Sequence, residues 1–173
     1  MKNLLISALA VLFISACSSD KLDRETAFKL LQEQKGYPKP VTEEIYTADP
    51  EEAKKILDAG MEQEEIVQVK RKQSFAEAGS PLVSFTEKGK PFLIETPEKD
   101  KANNIQLVKV AEEDLGEVTG IKMLDGDKRA EVEYTTSFKN ITPFSKISRM
   151  DLTSKGTHKA TFSLYDDGWR VEE

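Results

Sequence analysis

The chain has 173 residues, of which 38% are hydrophobic and 32% are charged. At roughly 100 to 200 residues per domain, this length provides one or two small domains and excludes a large multidomain protein. The apolar content is too high for a wholly disordered chain. The formal net charge of −6 disfavours a protein that coats nucleic acid, because phosphate contacts need a basic surface. The single cysteine excludes an internal disulfide bond.

The first residues have the pattern of an export signal. Lys2 supplies one positive charge, and an unbroken run of apolar or small residues follows from Leu4 to Ile14. At about 1.5 Å per helical residue this run spans about half of a ~30 Å hydrocarbon core. The pattern therefore favours a signal peptide over a transmembrane helix.

The four residues Ile14-Ser15-Ala16-Cys17 resemble the lipobox of bacterial lipoproteins. The resemblance implies that residues 1–16 are a signal peptide and that Cys17 becomes the first residue of the mature protein. The Cys17 sulfur then carries a diacylglycerol and its amino group usually a third acyl chain such as palmitate. Two or more chains anchor a protein stably, whereas one binds membranes only marginally. The alternative is an ordinary apolar cysteine at the end of a helix.

Residues 17–22 are then the lipidated cysteine and a short polar tether. In enterobacterial lipoproteins an Asp after the cysteine tends to retain the protein at the inner membrane, and this chain has Ser18 there. The resemblance therefore implies a location in the bacterial cell envelope, at the outer membrane rather than the inner. The lipid anchor makes the membrane the first expected partner.

Residues 23–96 are predicted to form a helical region. Asp23 is a good N-cap for a first helix that Gly36 ends. Asp49 caps a second helix, with Pro50 at its first position and Gly60 as its stop. Between the helices, Tyr37-Pro38-Lys39-Pro40 cannot continue the first helix, because proline has no N–H to donate. Short apolar runs at 66–69, 82–85 and 92–94 have strand character.

This region resembles the wing of winged-helix domains, with a helix that ends at Ala59-Gly60-Met61, a strand at 66–70 and the segment 83–90. The resemblance covers about forty residues, and we expect such a shape to serve as a platform for protein binding. A basic patch that contacts phosphates is the other interpretation, but a solvated charged face is favoured. We therefore expect no nucleic-acid partner. The basic residues concerned are Lys70, Arg71, Lys72, Lys88 and Lys90.

The polar segment 97–104 is the predicted boundary, and residues 105–173 are predicted to form an antiparallel β-rich region. Strands are expected at 105–110 and 118–124. A turn at 125–128 leads into a strict alternation of apolar and polar residues from Ala130 to Lys139. A further alternation ends at the turn 165–168, before Trp169. The expected fold class is α+β, with N-terminal helices and short strands followed by a curved antiparallel sheet of about five strands.

The last seventy residues or so resemble the close of cystatin-like or NTF2-like α+β domains, in a late strand that ends in Asp167-Gly168-Trp169-Arg170-Val171. In those domains a bent sheet wraps a helix. This chain departs from the pattern, because its helices lie far from the sheet in sequence. We expect them to pack on each other instead.

A search for catalytic chemistry gives no complete constellation. The only histidine, His158, lies in a polar stretch that enters a strand, and it is expected to be a surface residue rather than a general base. With the only cysteine used for lipid, one histidine cannot supply a zinc site. Asp125 and Asp127 around Gly126 lack the further ligands of a calcium loop and are expected to form a turn. No cofactor or metal is predicted.

Two weaker candidates remain. Asp166 and Asp167 near Trp169 suit a sugar or cation site, but neighbouring strand residues point to opposite faces, so a hairpin turn is favoured. Gly89-Lys90 lacks the other residues of a phosphate-binding loop. A concave ligand pocket lined by aromatic residues is the alternative to plain core packing. The residues concerned are Tyr134, Phe138, Phe162 and Trp169.

The sequence thus predicts a membrane-anchored envelope lipoprotein with no active site, which binds an envelope protein or polymer. The alternative is a small-ligand binder or hydrolase that uses a pocket in the curved sheet, with Asp166, Asp167 or His158 as polar groups. A third hypothesis, nucleic-acid binding through Lys70 to Lys72, predicts salt-sensitive affinity for DNA.

Overall fold

A computed structural model describes residues 21–172, and these residues have the α+β fold predicted from the sequence. The helices are α1 (Arg24–Lys35), α2 (Pro50–Asp58) and α3 (Glu98–Lys101). The strands are β1 (Lys39–Tyr46), β2 (Val67–Val69), β3 (Val83–Phe85), β4 (Ile105–Leu124), β5 (Arg129–Lys139), β6 (Gly156–Tyr165) and β7 (Gly168–Val171). Short 3₁₀ helices lie at Phe75–Glu77, Lys90–Phe92 and Pro143–Ile147.

Both long helices begin at their predicted caps. The Asp23 carboxylate accepts a hydrogen bond from the Thr26 N–H at 2.7 Å. At the other end, α1 is capped by Gly36, whose left-handed φ of 69° is readily adopted by a residue that has no Cβ atom. Asp49 caps α2 in the same way. The second helix stops two residues before Gly60, which follows in a left-handed conformation at φ 78°.

The main sheet has five antiparallel strands in the order β1-β4-β5-β6-β7 and is curled into a half-barrel. Four of them come from residues 105–173. The fifth, β1, belongs to the predicted helical region and pairs with β4 from Lys39–Glu113 to Tyr46–Ile105. Because β1 is an edge strand, Pro40 near its start removes no hydrogen bond that an inner strand would need.

The strands expected at 105–110 and 118–124 are one strand of 20 residues, β4. Shifts in register with β5, between Leu115 and Val118 and between Val118 and Gly120, let β4 bend without ending. The strand expected at 92–94 is largely absent. Pro91 lies in a 3₁₀ turn there, and only Leu93 forms a single bridge to Val108.

Two hydrophobic clusters meet along β4. The first, the α1 core, lies where α1 packs against the second half of β4 and against β5, β6 and β7. The expectation that the helices pack on each other is therefore wrong, because α1 packs on the sheet. The α2 core lies where α2 and the β2–β3 hairpin pack against the first half of β4. The fully buried members of the α1 core are Ala27, Leu31, Ala130, Val132 and Phe162, and those of the α2 core include Ile45, Ile56, Met61, Val108, Val110 and Phe144.

Candidate binding surface

His158 lies on β6 beside Tyr134 and Thr136 of β5. Its Nε2 atom is 2.9 Å from Thr136 Oγ1 and 3.6 Å from Glu113 Oε1, and its ring stacks on Tyr134 at 5.4 Å between centroids. A nucleophile–histidine–acid relay needs the hydroxyl and the carboxylate on different ring nitrogens. Here both approach Nε2, and Thr136 is buried. This arrangement is a structural contact and not a catalytic relay.

The aromatic residues expected to line a concave pocket belong to the α1 core, apart from the half-buried Phe138. Tyr134, Phe162 and Trp169 are 4%, 0% and 9% exposed and pack in the same cluster as Ala27 and Leu31 of α1. The edge of the Tyr37 ring contacts Tyr134 at 6.4 Å between centroids, and burial is the main cause that raises the pKa of Tyr37. These side chains act as core, because α1 covers the face on which they lie.

The paired aspartates lie in turns, as the sequence predicts. Asp125 and Asp127 have positive φ values of 50° and 66° around Gly126, and their carboxylates pair with Arg129 and Lys21. In the next hairpin, the guanidinium of Arg170 binds Asp167 and lowers the pKa of that carboxyl. No group of three or more acidic, histidine or cysteine side chains within residues 21–172 is arranged to hold a metal ion.

Gly89 is needed for a close approach of two backbones. A Cβ atom at this position would lie 2.1 Å from the carbonyl oxygen of Ile66. The neighbouring Lys90 pairs with Glu87. Gly89 is therefore required by the packing of these two backbones.

The predicted lipidation site, Cys17, lies outside the described residues, so the anchor stays a prediction. Within the part of the chain that the structure describes, no helix is long and apolar enough to cross a membrane.

An open groove of about 370 Å³ runs beside α2 and is called here the α2 groove. One wall is a single stripe of α2, in which Pro50, Ala53, Lys54 and Leu57 follow the i, i+3, i+4, i+7 spacing of one helix face. The opposite wall consists of residues at the end of β2 and the start of β3. These residues are Val69, Lys70, Arg71, Gln73 and Leu82.

The charged residues that line the α2 groove are all basic. Lys54, Lys70 and Arg71 line it, and no acidic side chain is among its lining residues in the described structure. Each cation has an intramolecular carboxylate outside the groove, namely Asp58, Glu77 and Glu62 in that order. All three cations are 46% to 76% exposed in their side chains, so these ion pairs contribute little to folding and the cations stay accessible.

The segment from Lys70 to Leu82, called the Phe75 loop, begins at the groove and presents Phe75 to solvent. The Phe75 side chain is fully exposed. The loop is nevertheless ordered by its own hydrogen bonds. The N–H and hydroxyl groups of Ser74 both donate to Glu77 at 3.0 Å, Lys70 binds the same carboxylate, and Gln73 donates to the Ser80 carbonyl at 2.8 Å.

The basic residues that the sequence analysis grouped do not form one free patch. Lys70 and Arg71 are neutralised locally by Glu77 and Glu62, and the N–H of Val69 also donates to Glu62. Hydrogen bonds from Arg71 and Val69 lower the pKa of Glu62, in that order of importance. Of the five residues, Lys90 is also ion-paired, to Glu87, and only Lys70 and Arg71 line the α2 groove.

Sequence reasoning missed the α2 groove and Phe75. The signal for Phe75 was present, because it stands alone among polar and small residues from Lys70 to Ser80, with no apolar neighbour at strand or helix spacing. The groove had no such signal, because its walls come from segments that only folding brings together.

Comparison with known proteins gave no relative for this chain. No family model matches it, and neither a curated protein nor a solved structure does.

Proposed function

We propose that this protein is a non-enzymatic lipoprotein of the bacterial cell envelope, anchored through Cys17, that presents a binding surface to another envelope component. The observation that carries the proposal is the exposure of Phe75 on an ordered loop beside the α2 groove. Burying a phenylalanine side chain is worth about 1.5 to 3 kcal/mol, and this chain forgoes that gain. Aromatic residues are enriched at protein interfaces, where a partner supplies the burial.

The position of this surface fits a protein held at its N-terminus. The start of α1 lies at the β4–β5 turn, where Arg24 donates to the Thr119 carbonyl at 3.0 Å and Lys21 is 3.6 Å from Asp127. The Phe75 loop lies at the other end of β4, where Asn104 donates to the Gly79 carbonyl at 3.1 Å. At about 3.3 Å per residue, the 20 residues of β4 measure up to ~65 Å along the strand.

That figure is a path along a bent strand, and what separates the proposed binding surface from the anchor is their position at opposite ends of β4. The tether of residues 17–22 reaches at most about 20 Å from the lipid, so the β4–β5 turn stays near the membrane. The Phe75 loop then faces away from that membrane, towards components of the periplasm or of the cell wall. Ser18 after the lipidated cysteine supports placement at the outer membrane, as the lipoprotein resemblance implies.

The small-ligand or hydrolase alternative has no observation in its favour. Its pocket residues are packed under α1, and His158 presents one nitrogen to both of its polar partners. A Thr136 hydroxyl that is 2% exposed is also out of reach of a substrate.

The anchor is tested by Cys17→Ala. We expect the wild-type protein to incorporate labelled palmitate and to sediment with the membrane fraction, and the variant to do neither. A Cys17→Ala protein that stays membrane-bound and behaves as the wild type would show that the anchor is wrong.

The binding surface is tested by photo-crosslinking in cells, with the photoreactive amino acid p-benzoylphenylalanine at position 75. The matched control places it at Tyr165, which is 52% exposed and lies at the anchor end, since the adjacent Leu164 N–H bonds to the Lys128 carbonyl. We expect a discrete adduct from position 75 and none from position 165. Adducts of equal yield from both, or from position 165 alone, would overturn the proposal.

A further inference from the structure

The wall of the α2 groove that α2 supplies is a partly exposed helix stripe, in which Pro50 and Lys54 are exposed and Leu57 is half-buried. Pro50, Ala53, Lys54 and Leu57 present it over the whole helix, which is about 13 Å long at 1.5 Å per residue. Ile56 lies on the side of α2 away from the groove and packs into the α2 core, and Ala53, at 5% exposure, contacts both the core and the groove. Leu57 and Leu82, which are half-buried, and the buried Val69 complete an apolar floor that is continuous with the α2 core.

The shape of the floor indicates the form of its occupant. An amphipathic helix that lies along such a groove places its own apolar residues at i, i+3, i+4 and i+7, in register with the stripe of α2. A groove of this length accommodates about two to three turns of helix.

The charge of the rim indicates the chemistry of the occupant. Lys54 stands on one wall and Lys70 and Arg71 on the other, so exposed cationic groups flank the apolar floor on both sides, each paired with a carboxylate outside the groove. The chain as a whole has 31 acidic and 25 basic residues, whereas the charged lining of this groove is basic, and this local difference favours an acidic ligand here.

We infer that the α2 groove binds an acidic amphipathic helix supplied by a protein partner. This inference deepens the proposed function and rests on it. The carboxylates of the helix bind Lys54, Lys70 and Arg71, in competition with the exposed intramolecular partners of those cations. Its apolar face covers Leu57 and Leu82, and Phe75, on the loop that adjoins the groove, contacts the partner beyond the helix.

The test is a fluorescence anisotropy titration of the full chain with a labelled synthetic peptide of about 14 residues. The peptide carries Leu at i, i+3, i+4 and i+7 and Glu at the exposed positions. A matched peptide carries Lys in place of Glu. We expect the acidic peptide to bind, with an affinity that falls as salt rises, and the basic peptide not to bind.

Variants locate the site. Lys54→Glu combined with Arg71→Glu reverses the rim and is expected to weaken binding about tenfold or more. Lys29→Glu combined with Lys122→Glu is the matched control, because both are exposed lysines, on α1 and β4, and this equal change of charge is expected to leave binding unchanged. Leu57→Gln removes an apolar side chain from the floor of the groove, so it is expected to weaken binding. Because glutamine is also a good helix former, the circular dichroism spectrum is expected to stay that of the wild type.

Several results would overturn the inference: no binding of the acidic peptide, equal binding of both peptides, equal loss in the control with Lys29→Glu and Lys122→Glu, or binding of vesicles of phosphatidylethanolamine and phosphatidylglycerol in place of the peptide. If position 75 gives an adduct in cells but the peptide titration gives any of these results, the proposed function still holds. In that case only the inference of an acidic helical partner is wrong. If the acidic peptide binds but position 75 gives no adduct in cells, the proposed function is wrong. The affinity of the α2 groove for an acidic helix would still hold.

Discussion

The aromatic side chains on the face of the sheet that α1 covers are buried, whereas Phe75, on the loop beside the α2 groove, is fully exposed. Phe162 and Tyr134 lie under α1 at 0% and 4% exposure. Phe75 lies at the other end of β4 with no such cover. The difference arises because strand alternation directs every second residue of β5 and β6 into a face that one helix covers, while the Phe75 loop follows no such alternation.

The two regions also use charged groups differently. In the sheet, the carboxylate of Glu113 lies beside His158, and His158 also contacts Thr136. The charged group is therefore part of one local cluster of side chains. At the α2 groove, the carboxylates of Glu62 and Glu77 hold the loop from outside and leave their cations on the rim. The comparison teaches that burial and pairing, and not residue type, separate the core of this protein from the surface that we propose binds a partner.

The largest expected contrast is between two phenylalanines. Phe162→Ala removes a fully buried ring from the α1 core and is expected to lower the free energy of unfolding by about 3 to 5 kcal/mol. Phe75→Ala is expected to change it by no more than about 0.5 kcal/mol, since the ring contacts solvent. Urea unfolding followed by circular dichroism measures both. A large loss of stability in Phe75→Ala would show that the loop folds over its own ring and would break the comparison.

A smaller effect is expected in the α2 region from Gly89→Ala. The added methyl group meets the Ile66 carbonyl, a backbone atom that cannot move aside freely, and the expected cost is about 1 to 3 kcal/mol. Gly120→Ala in β4 is the control, because its Cβ would come no closer than 3.5 Å to a flexible Glu133 side chain. The same unfolding measurement compares them, and equal stabilities would show that the Gly89 contact is not the tight one.

The smallest effect concerns the pH dependence of the Phe75 loop. The Lys70 ammonium and, after it, hydrogen bonds from Ser74 lower the pKa of Glu77 to about 2 from an ordinary value of 4.5. Because the pKa is depressed in the folded chain, the contribution of Glu77 to loop stability is complete above pH 4.5. It is lost as the pH falls through the window down to about 2.

A carbon-detected NMR titration of the Glu77 carboxyl group checks this. We expect the signal to move away from that of the carboxylate only as the pH approaches a midpoint of about 2, and Lys70→Ala to move this midpoint upward, since Lys70 is the largest cause of the shift. A wild-type midpoint near 4.5 would mean that the loop is not held by this ion pair.

Local signals were sufficient for most of the regular elements. Asp23 and Gly36 defined α1 to the residue, because caps satisfy backbone groups that the helix itself leaves unpaired. The alternation after Ala130 defined β5, and the turn at 125–128 was in place. These features depend on neighbours in sequence and were therefore visible in it.

The features that depend on distant segments were not predicted. Strand β1 was not predicted, because Pro38 and Pro40 disfavour a strand in an inner position. Pro40 is acceptable in β1 only because this strand lies at the edge of the sheet. The bulges that join two predicted strands into β4 depend on its register with β5. The α2 groove depends on how α2 packs beside Val69 and Leu82, so its walls could be named only from the fold.

The most direct test of the central claim, that the α2 end is the binding end, is a titration of isotope-labelled protein with the acidic amphipathic peptide, followed by amide NMR shifts. We predict progressive shifts at Leu57, Arg71 and Leu82, and none at Tyr134 or Phe162. Shifts centred on the sheet residues under α1, or no shifts at all, would contradict it.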